Sequence, residues 1–269
     1  MTVPMNDGPG ATCAGPVRGI WVYAVVLVPC PAPALTGVAD EPLFAVENAG
    51  LAAVVGSVPL AGFAAVGTGD DRDRVERIAR AHHRVLTDLR VHAALVPFRL
   101  GTVYRDEAGV AGMLGQRRAL LRDGLRLAAG RTEWGVKAHL RRPPAPDPGE
   151  RATAGAAGTG TAFLMRRRAE RQGAELLLRQ AAERADVIHR TFCGYAAVSR
   201  RYPPHDPWLA GAEEWTLLNA AYLVSDDDTA RFAGAATEMQ AVDPALRIEI
   251  TGPWPPYCAV AEPPGPGRP

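Results

Sequence analysis

Between residues 133 and 251 the hydrophobic period switches between 2 and 3.6 in a set order, and this order restricts the fold more than any other feature of the chain. Residues 133–140 alternate, with Trp134, Val136 and Ala138 on one side and Lys137 and His139 on the other, as a strand covered on one face does. Residues 162–189 then place Leu164, Leu176, Leu177, Ala181, Val187 and Ile188 along one side of a long amphipathic helix. Glu175 with Arg179 and Asp186 with Arg190 form favourable i,i+4 pairs on it. Two strands are expected next, at 192–200 and 215–224. Ser225-Asp226-Asp227-Asp228 has the form of a capping box that opens a helix through Met239, and 246–251 alternates as a last strand. The order β-α-β-β-α-β is that of a split βαβ, ferredoxin-like sheet backed by two helices. It names an architecture and no function.

The first half reads less regularly. Ile20, Trp21, Val22, Tyr23, Val25 and Val26 make 19–28 a β-branched and aromatic strand buried on nearly both faces. Two short apolar runs within 44–56, broken at Asn48-Ala49-Gly50, predict a hairpin with its turn at that break. Asp70, Asp71 and Asp73 open a helix whose inner face is Val75, Ile78, Ala79, His82, Leu86 and Leu89. Residues 95–101 are extended and interrupted by Pro97, and Asp106 caps one further helix running to about Leu127. At 269 residues, two cores of about 100 to 130 residues each are expected. The fold class is therefore α+β with two domains, at 17–131 and 132–260. Residues 1–16 and 261–269 form disordered tails, and 143–161, rich in Pro, Gly and Ala, forms an exposed loop.

Composition removes several function classes. Thirty basic and 29 acidic side chains leave a formal charge of +1, so no global field draws nucleic acid or an anionic bilayer. No apolar run is long enough to span a membrane. Arg18, the apolar run and the prolines from Pro31 imitate a secretory leader, and the residues before Cys30 imitate a lipoprotein box. The run is only nine residues long, however, and a proline precedes the cysteine, so it reads as the first strand and an exported lipoprotein as a lesser alternative.

Chemistry is sought and not found. The four cysteines, Cys13, Cys30, Cys193 and Cys258, form no C-x-x-C pair and no zinc spacing. Gly67-Thr68-Gly69 and Gly158-Thr159-Gly160-Thr161 lack the endings of a phosphate cradle. His82, His83 and His92 do not share a helical face in the i,i+4 manner of a metal site, and His189 four residues before Cys193 suggests a structural thiol rather than a nucleophile. Arginines at 117–118, 141–142 and 166–171 read as solvated or protein-contact charges. No catalytic residue, cofactor, metal or small-molecule substrate is assigned.

One segment resists a bland reading. In Gly252-Pro253-Trp254-Pro255-Pro256-Tyr257 three prolines hold two large aromatics in extended geometry. They can plug the core at a strand exit, or they can present a preorganised docking surface. With the preceding Leu246-Arg247-Ile248-Glu249-Ile250-Thr251, the segment resembles the terminal strand and G-P-W-P-P-Y signature of the gas-vesicle F/L family (GvpF/GvpL). Leu51-Ala52-Ala53-Val54-Val55 with Val58-Pro59-Leu60, then Val96-Pro97-Phe98-Arg99-Leu100-Gly101-Thr102-Val103-Tyr104, then Glu133-Trp134-Gly135-Val136-Lys137 and Leu218-Asn219-Ala220-Ala221-Tyr222-Leu223-Val224 resemble family blocks in the same order. This chain departs in having Cys258-Ala259 where the family places Ser-Phe.

The resemblance implies an N-terminal α+β domain, a ferredoxin-like variant, joined to a C-terminal ferredoxin-like domain. It also implies a cytoplasmic or vesicle-associated accessory protein that contacts the hydrophobic gas-vesicle shell protein and other accessory proteins. Such a factor has a physical purpose, because a shell subunit exposes aggregation-prone apolar surface before assembly. Pro97, Phe98 and Arg99 with Pro253, Trp254, Pro255, Pro256 and Tyr257 are the candidate partner-contact or structural positions. The alternative is a ferredoxin-like small-molecule sensing or catalytic module, suggested by the element order and the His82-His83 pair.

Overall fold

A computed structural model of the protein describes residues 17–30, 35–62, 72–141, 160–203 and 214–260. The expected tails at 1–16 and 261–269 lie outside them. So does the expected loop 143–161, save Gly160 and Thr161, which belong to a helix. Contacts gather the chain into one unit ending at Arg122 and a second over Asp123–Ala261.

The first unit is built on β1 (Arg18–Leu27), with β2 (Leu43–Asn48), β3 (Leu51–Pro59), β4 (Val96–Pro97) and β5 (Val103–Tyr104) forming a sheet of order β2-β3-β1-β4, β5 also pairing β1. Every pairing is antiparallel. All residues of β1 but its two ends are buried, as its β-branched run demands; each such side chain contributes about 1.5–3 kcal/mol when fully removed from water. The hairpin turn falls where expected: Ala49 and Gly50 both have positive φ, 55° and 74°, the pattern that matches strand twist. The helix α1 (Arg72–His92) packs on β1 through Ile78, His82, Val85, Leu86 and Leu89.

His82 ties that helix to the sheet. The indole Nε1 of Trp21 donates to its Nδ1 at 3.1 Å, which leaves the proton on Nε2, and Nε2 donates to the Phe98 carbonyl at 3.1 Å. The ring stacks on Tyr23 with centroids 5.2 Å apart. Tyr23 in turn donates its hydroxyl to Oε1 of the buried Glu41 at 2.6 Å, and the Ala39 amide donates to Oε2 at 2.7 Å. Gly37 and Gly56 make room for this carboxylate: a Cβ on either would fall 1.9 or 2.3 Å from Oε1.

The single helix expected after Asp106 is instead two, α2 (Glu107–Gln116) and α3 (Arg118–Ala128). Asp106 does cap the first, its Oδ1 accepting from the Gly109 amide at 2.8 Å. Gly109, Gly112 and Gly115 weaken α2, and the path turns at Arg117 (φ −103°, ψ 15°), a break to which hydrophobic spacing is blind.

In the second unit β6 (Arg131–Arg141), α4 (Gly160–Cys193), β7 (Ala196–Arg201), β8 (Glu214–Ser225), α5 (Thr229–Val242) and β9 (Leu246–Trp254) follow one another in the expected order. The strands form an antiparallel sheet, β7-β8-β6-β9. Both helices cover one face, where Val136, Ala138, Tyr222 and Val224 meet Ile188, Phe192 and Phe232. Phe192, a strand start by propensity, instead ends α4, because Ala181, Ala185, Ile188 and Phe192 continue one helical stripe, and it packs 4.8 Å from Phe232 between ring centroids. The capping box also differs. Ser225 makes no side-chain cap bond, residues 226–228 form a 3-10 turn, and Asp226 accepts from the Thr132 hydroxyl at 2.6 Å across the sheet. Among the described residues no helix is long and apolar enough to cross a membrane.

Burial holds the His82 ring well below its usual 6.5, at about 4. The unfolded chain therefore binds the extra proton first, so stability falls as pH drops through 6.5 and levels off below about 4, a loss of up to about 3 kcal/mol. Urea midpoints measured from pH 7 to pH 4 are expected to show this slope. In His82→Phe that contribution to the slope disappears, while stability at pH 7 drops by roughly 2–4 kcal/mol because the Trp21 N–H and Phe98 carbonyl lose their partners.

Candidate functional site

The first candidate segment is largely interior. Pro97 pairs with Ala24 across β4 and β1, and the Phe98 amide donates to the Tyr23 carbonyl at 2.8 Å, so both residues are buried. Only Arg99 is exposed. Its carbonyl accepts from the Thr102 hydroxyl at 2.8 Å and amide at 3.2 Å, closing a tight loop that passes Gly101 at φ 82°.

The second segment leaves β9 by a bend. Trp254 pairs with Glu133 while Thr251 pairs with Gly135, so the Gly252-Pro253 step bulges out of register. Gly252 sits at φ 138°, where a Cβ would lie 2.9 Å from the Trp134 ring and 3.1 Å from the Glu133 carbonyl. Beyond the bend the chain folds back: Pro255 and Pro256 are buried, and a 3-10 turn over Tyr257–Ala259 places Cys258 and Ala259 against Leu223 and Ala128. This cluster lies on the sheet face turned away from α4 and α5.

A buried carboxylate, unforeseen in the sequence, fixes the turn. Glu133 accepts from the Cys258 amide at 2.6 Å, and the guanidinium of Arg200 donates to the Val260 carbonyl at 3.0 Å. Burial pushes the Glu133 carboxyl up from its ordinary value and the Cys258 thiol up as well; the Tyr257 hydroxyl is pushed up to about 12. A glutamate opening an alternating strand gives no local sign that its partner lies 125 residues later.

The two aromatics of the signature separate. Tyr257 is half-buried, whereas Trp254 does not plug the core: it is 39% exposed, with its indole N–H donated to the Thr251 hydroxyl at 3.1 Å. It therefore shares the open face of the sheet with Arg247, which pairs with Glu214 and Glu249.

Among the described residues His189 and Cys193 stand together. Cys193 Sγ stands 3.5 Å from His189 Nε2 and 3.3 Å from Ser199 Oγ, while His189 Nδ1 meets the Tyr222 hydroxyl at 2.6 Å. Burial and then Arg201 hold that imidazole below its usual value, so it offers no positive charge to favour a thiolate. His82 spends both ring nitrogens on structure. Cys30, Cys193 and Cys258 are free thiols, and no metal-binding group of side chains occurs among the described residues. A groove of about 620 Å³ runs between α4 and α5, lined by Val187, Ile188 and Met239 together with Glu183 and Glu238.

The model of the gas vesicle synthesis protein GvpL/GvpF family matches residues 19–258, from the second residue of β1 to the cysteine held by Glu133. The chain belongs to this family. Gas vesicle protein L of Streptomyces sp. (strain CB03234) is 31% identical over 225 residues, covering 82% of this chain and 84% of that protein. Gas vesicle protein F of the same strain is 28% identical over 235 residues, with 83% and 91% covered. The crystal structure of GvpF from Anabaena sp. PCC7120 superposes with a TM-score of 0.63 over 93% of this chain and 99% of that one at 17% identity, which establishes a shared mixed fold with two antiparallel sheets. The segment Gly252–Tyr257 is thus, in this chain, a backbone device as well as a pair of aromatics. Gly252→Ala is expected to lower stability by roughly 2–3 kcal/mol in a denaturant titration, because an L side chain is strained at that φ and meets backbone. Gly234→Ala, in α5 with nothing within 4 Å of the new carbon, is expected to be neutral or stabilising by up to about 1 kcal/mol.

Proposed function

We propose that this member of the GvpL/GvpF family is a non-enzymatic gas vesicle accessory factor, acting in the cytoplasm or on the vesicle. It binds the hydrophobic shell protein and other accessory proteins and limits shell-protein aggregation while a vesicle nucleates. With this goes the architectural reading of two domains, 17–131 and 132–260, the first a ferredoxin-like variant and the second a ferredoxin-like split βαβ. The strand order β7-β8-β6-β9 with two helices on one face supports the second assignment.

The observation that carries the reading is the display of Trp254. Pro255 and Pro256 are turned inward and Tyr257 is half-buried, yet this indole stays on the sheet face turned away from α4 and α5. A rigid, half-exposed tryptophan is a strong anchor for a protein partner, since little side-chain freedom remains to be lost on binding. The open, mainly apolar groove between α4 and α5 also favours protein over small-molecule contact.

Light scattering on shell protein diluted from denaturant tests the function. The full chain is expected to suppress scattering near equimolar ratio. Trp254→Ala is expected to keep its melting temperature while binding the shell protein about 30-fold more weakly, the usual loss for a central aromatic of about 2 kcal/mol. Failure of the wild-type chain to bind or protect the shell protein would sink the proposal, and full activity of the variant would remove Trp254 from it.

A further inference from the structure

The helix α4 is longer than the sheet it covers. Its buried residues, Ala181, Ala185, Ile188 and Phe192, all fall in the C-terminal part, while the described side chains from Arg171 to Gln180 are exposed. The arm from Gly160 to Gln180 extends about 30 Å at 1.5 Å per residue. Its sequence does not turn polar where the sheet ends. Leu177 and Leu178 lie four and three residues before Ala181 and so continue the core stripe into solvent, with Leu177 47% exposed. Leu176 continues the stripe of Gln180, Glu183 and Val187 that lines the groove. Three consecutive exposed leucines on a projecting helix constitute an unpartnered apolar surface.

Charge separates the two halves of the helix. Arg167, Arg168, Arg171 and Arg179 are exposed on the arm, with Glu175 the one acidic residue among them whose side chain is described. Among the described residues the groove carries Glu183, Glu238 and Asp243 against a single cation, Arg184, which lies 3.7 Å from Asp243. The arm thus has the chemistry the groove lacks, and the same chain supplies both.

We propose that the arm of α4 docks in the α4/α5 groove of a second copy of this chain, reciprocally, through an antiparallel α4 pair with its two-fold axis at Leu177. Two-fold symmetry makes a self-complementary patch bind itself. With the axis there, the three leucines of the two copies meet at the centre. Arg171, six residues before Leu177, comes level with Glu183, six after it, on both sides of the axis. Met165, exposed at the tip, comes level with the groove near Ile188. Repulsion disfavours the parallel alignment, which sets the arginine-rich arms side by side.

Sedimentation velocity on the full chain over a concentration series tests the pairing. The wild-type chain is expected to pass from monomer to dimer, and Leu177→Glu to remain monomeric with unchanged far-ultraviolet circular dichroism and melting temperature. Arg171→Glu is expected to weaken the dimer at least tenfold, and Arg171→Glu with Glu183→Arg to recover most of that loss. Leu177→Cys, oxidised beside the wild-type chain as control for the native thiols, is expected to give a disulfide-linked dimer that the control does not. A wild-type chain that stays monomeric throughout overturns the proposal. So does a dimer that survives Leu177→Glu and is not cross-linked through Leu177→Cys.

Discussion

A buried strand must have its backbone hydrogen bonds met by neighbours on both edges, and each unit of this protein is arranged around a strand for which that holds. β1 is paired with β3 along one edge and with β4 and β5 along the other; β6 is paired with β8 and β9. Once these backbones are satisfied, the polar side chains beneath them become the places where distant segments are fastened. Trp21, Tyr23 and the Phe98 carbonyl fasten α1 through His82. Glu133 fastens the turn after β9. Neither carboxylate nor imidazole is an isolated buried polar group, which is why burial is tolerated at all.

Where side-chain period and local turn chemistry determine an element, the sequence alone reveals it. The run of β1, the turn at Ala49-Gly50, the inner face of α1 and the strand-helix order of the second unit are of this kind. Elements decided by a choice between two good local readings are not legible. Phe192 suits a strand by propensity, and only its tilted ring contacts with Tyr222 and Phe232 show that the helix has claimed it. Arg117 breaks a helix inside a periodic stretch. Asp226 offers a cap and is used instead by Thr132, 94 residues away.

The candidate site divides along the same line. Proline and glycine in the signature announce a rigid exit from the last strand, and such an exit is present. Which aromatic faces solvent depends on a bulge against Glu133 and Gly135, a pairing that no spacing within 252–257 encodes. At Pro97, Phe98 and Arg99, similarly, a resemblance to family blocks singles out three neighbours, yet the β1 pairing and the His82 bond bury two and leave one outside. The motif is therefore a mixture of residues buried in the fold and residues left exposed, and geometry is needed to separate them.

The buried Glu41 carries a consequence for how this sequence can drift. Its carboxylate occupies the volume that side chains at Gly37 and Gly56 would need, and it receives the Tyr23 hydroxyl. These four positions are interlocked: a Cβ at either glycine would overlap the glutamate, and loss of the glutamate would leave the Tyr23 hydroxyl only the Val38 amide and would free Gly56 but not Gly37, whose Cβ would still fall 2.3 Å from the Tyr23 hydroxyl. Substitutions here should thus arrive as a linked set rather than singly: a relative with a side chain at the position of Gly56 is one that has also given up the acid, and one with a side chain at the position of Gly37 has given up the phenol as well.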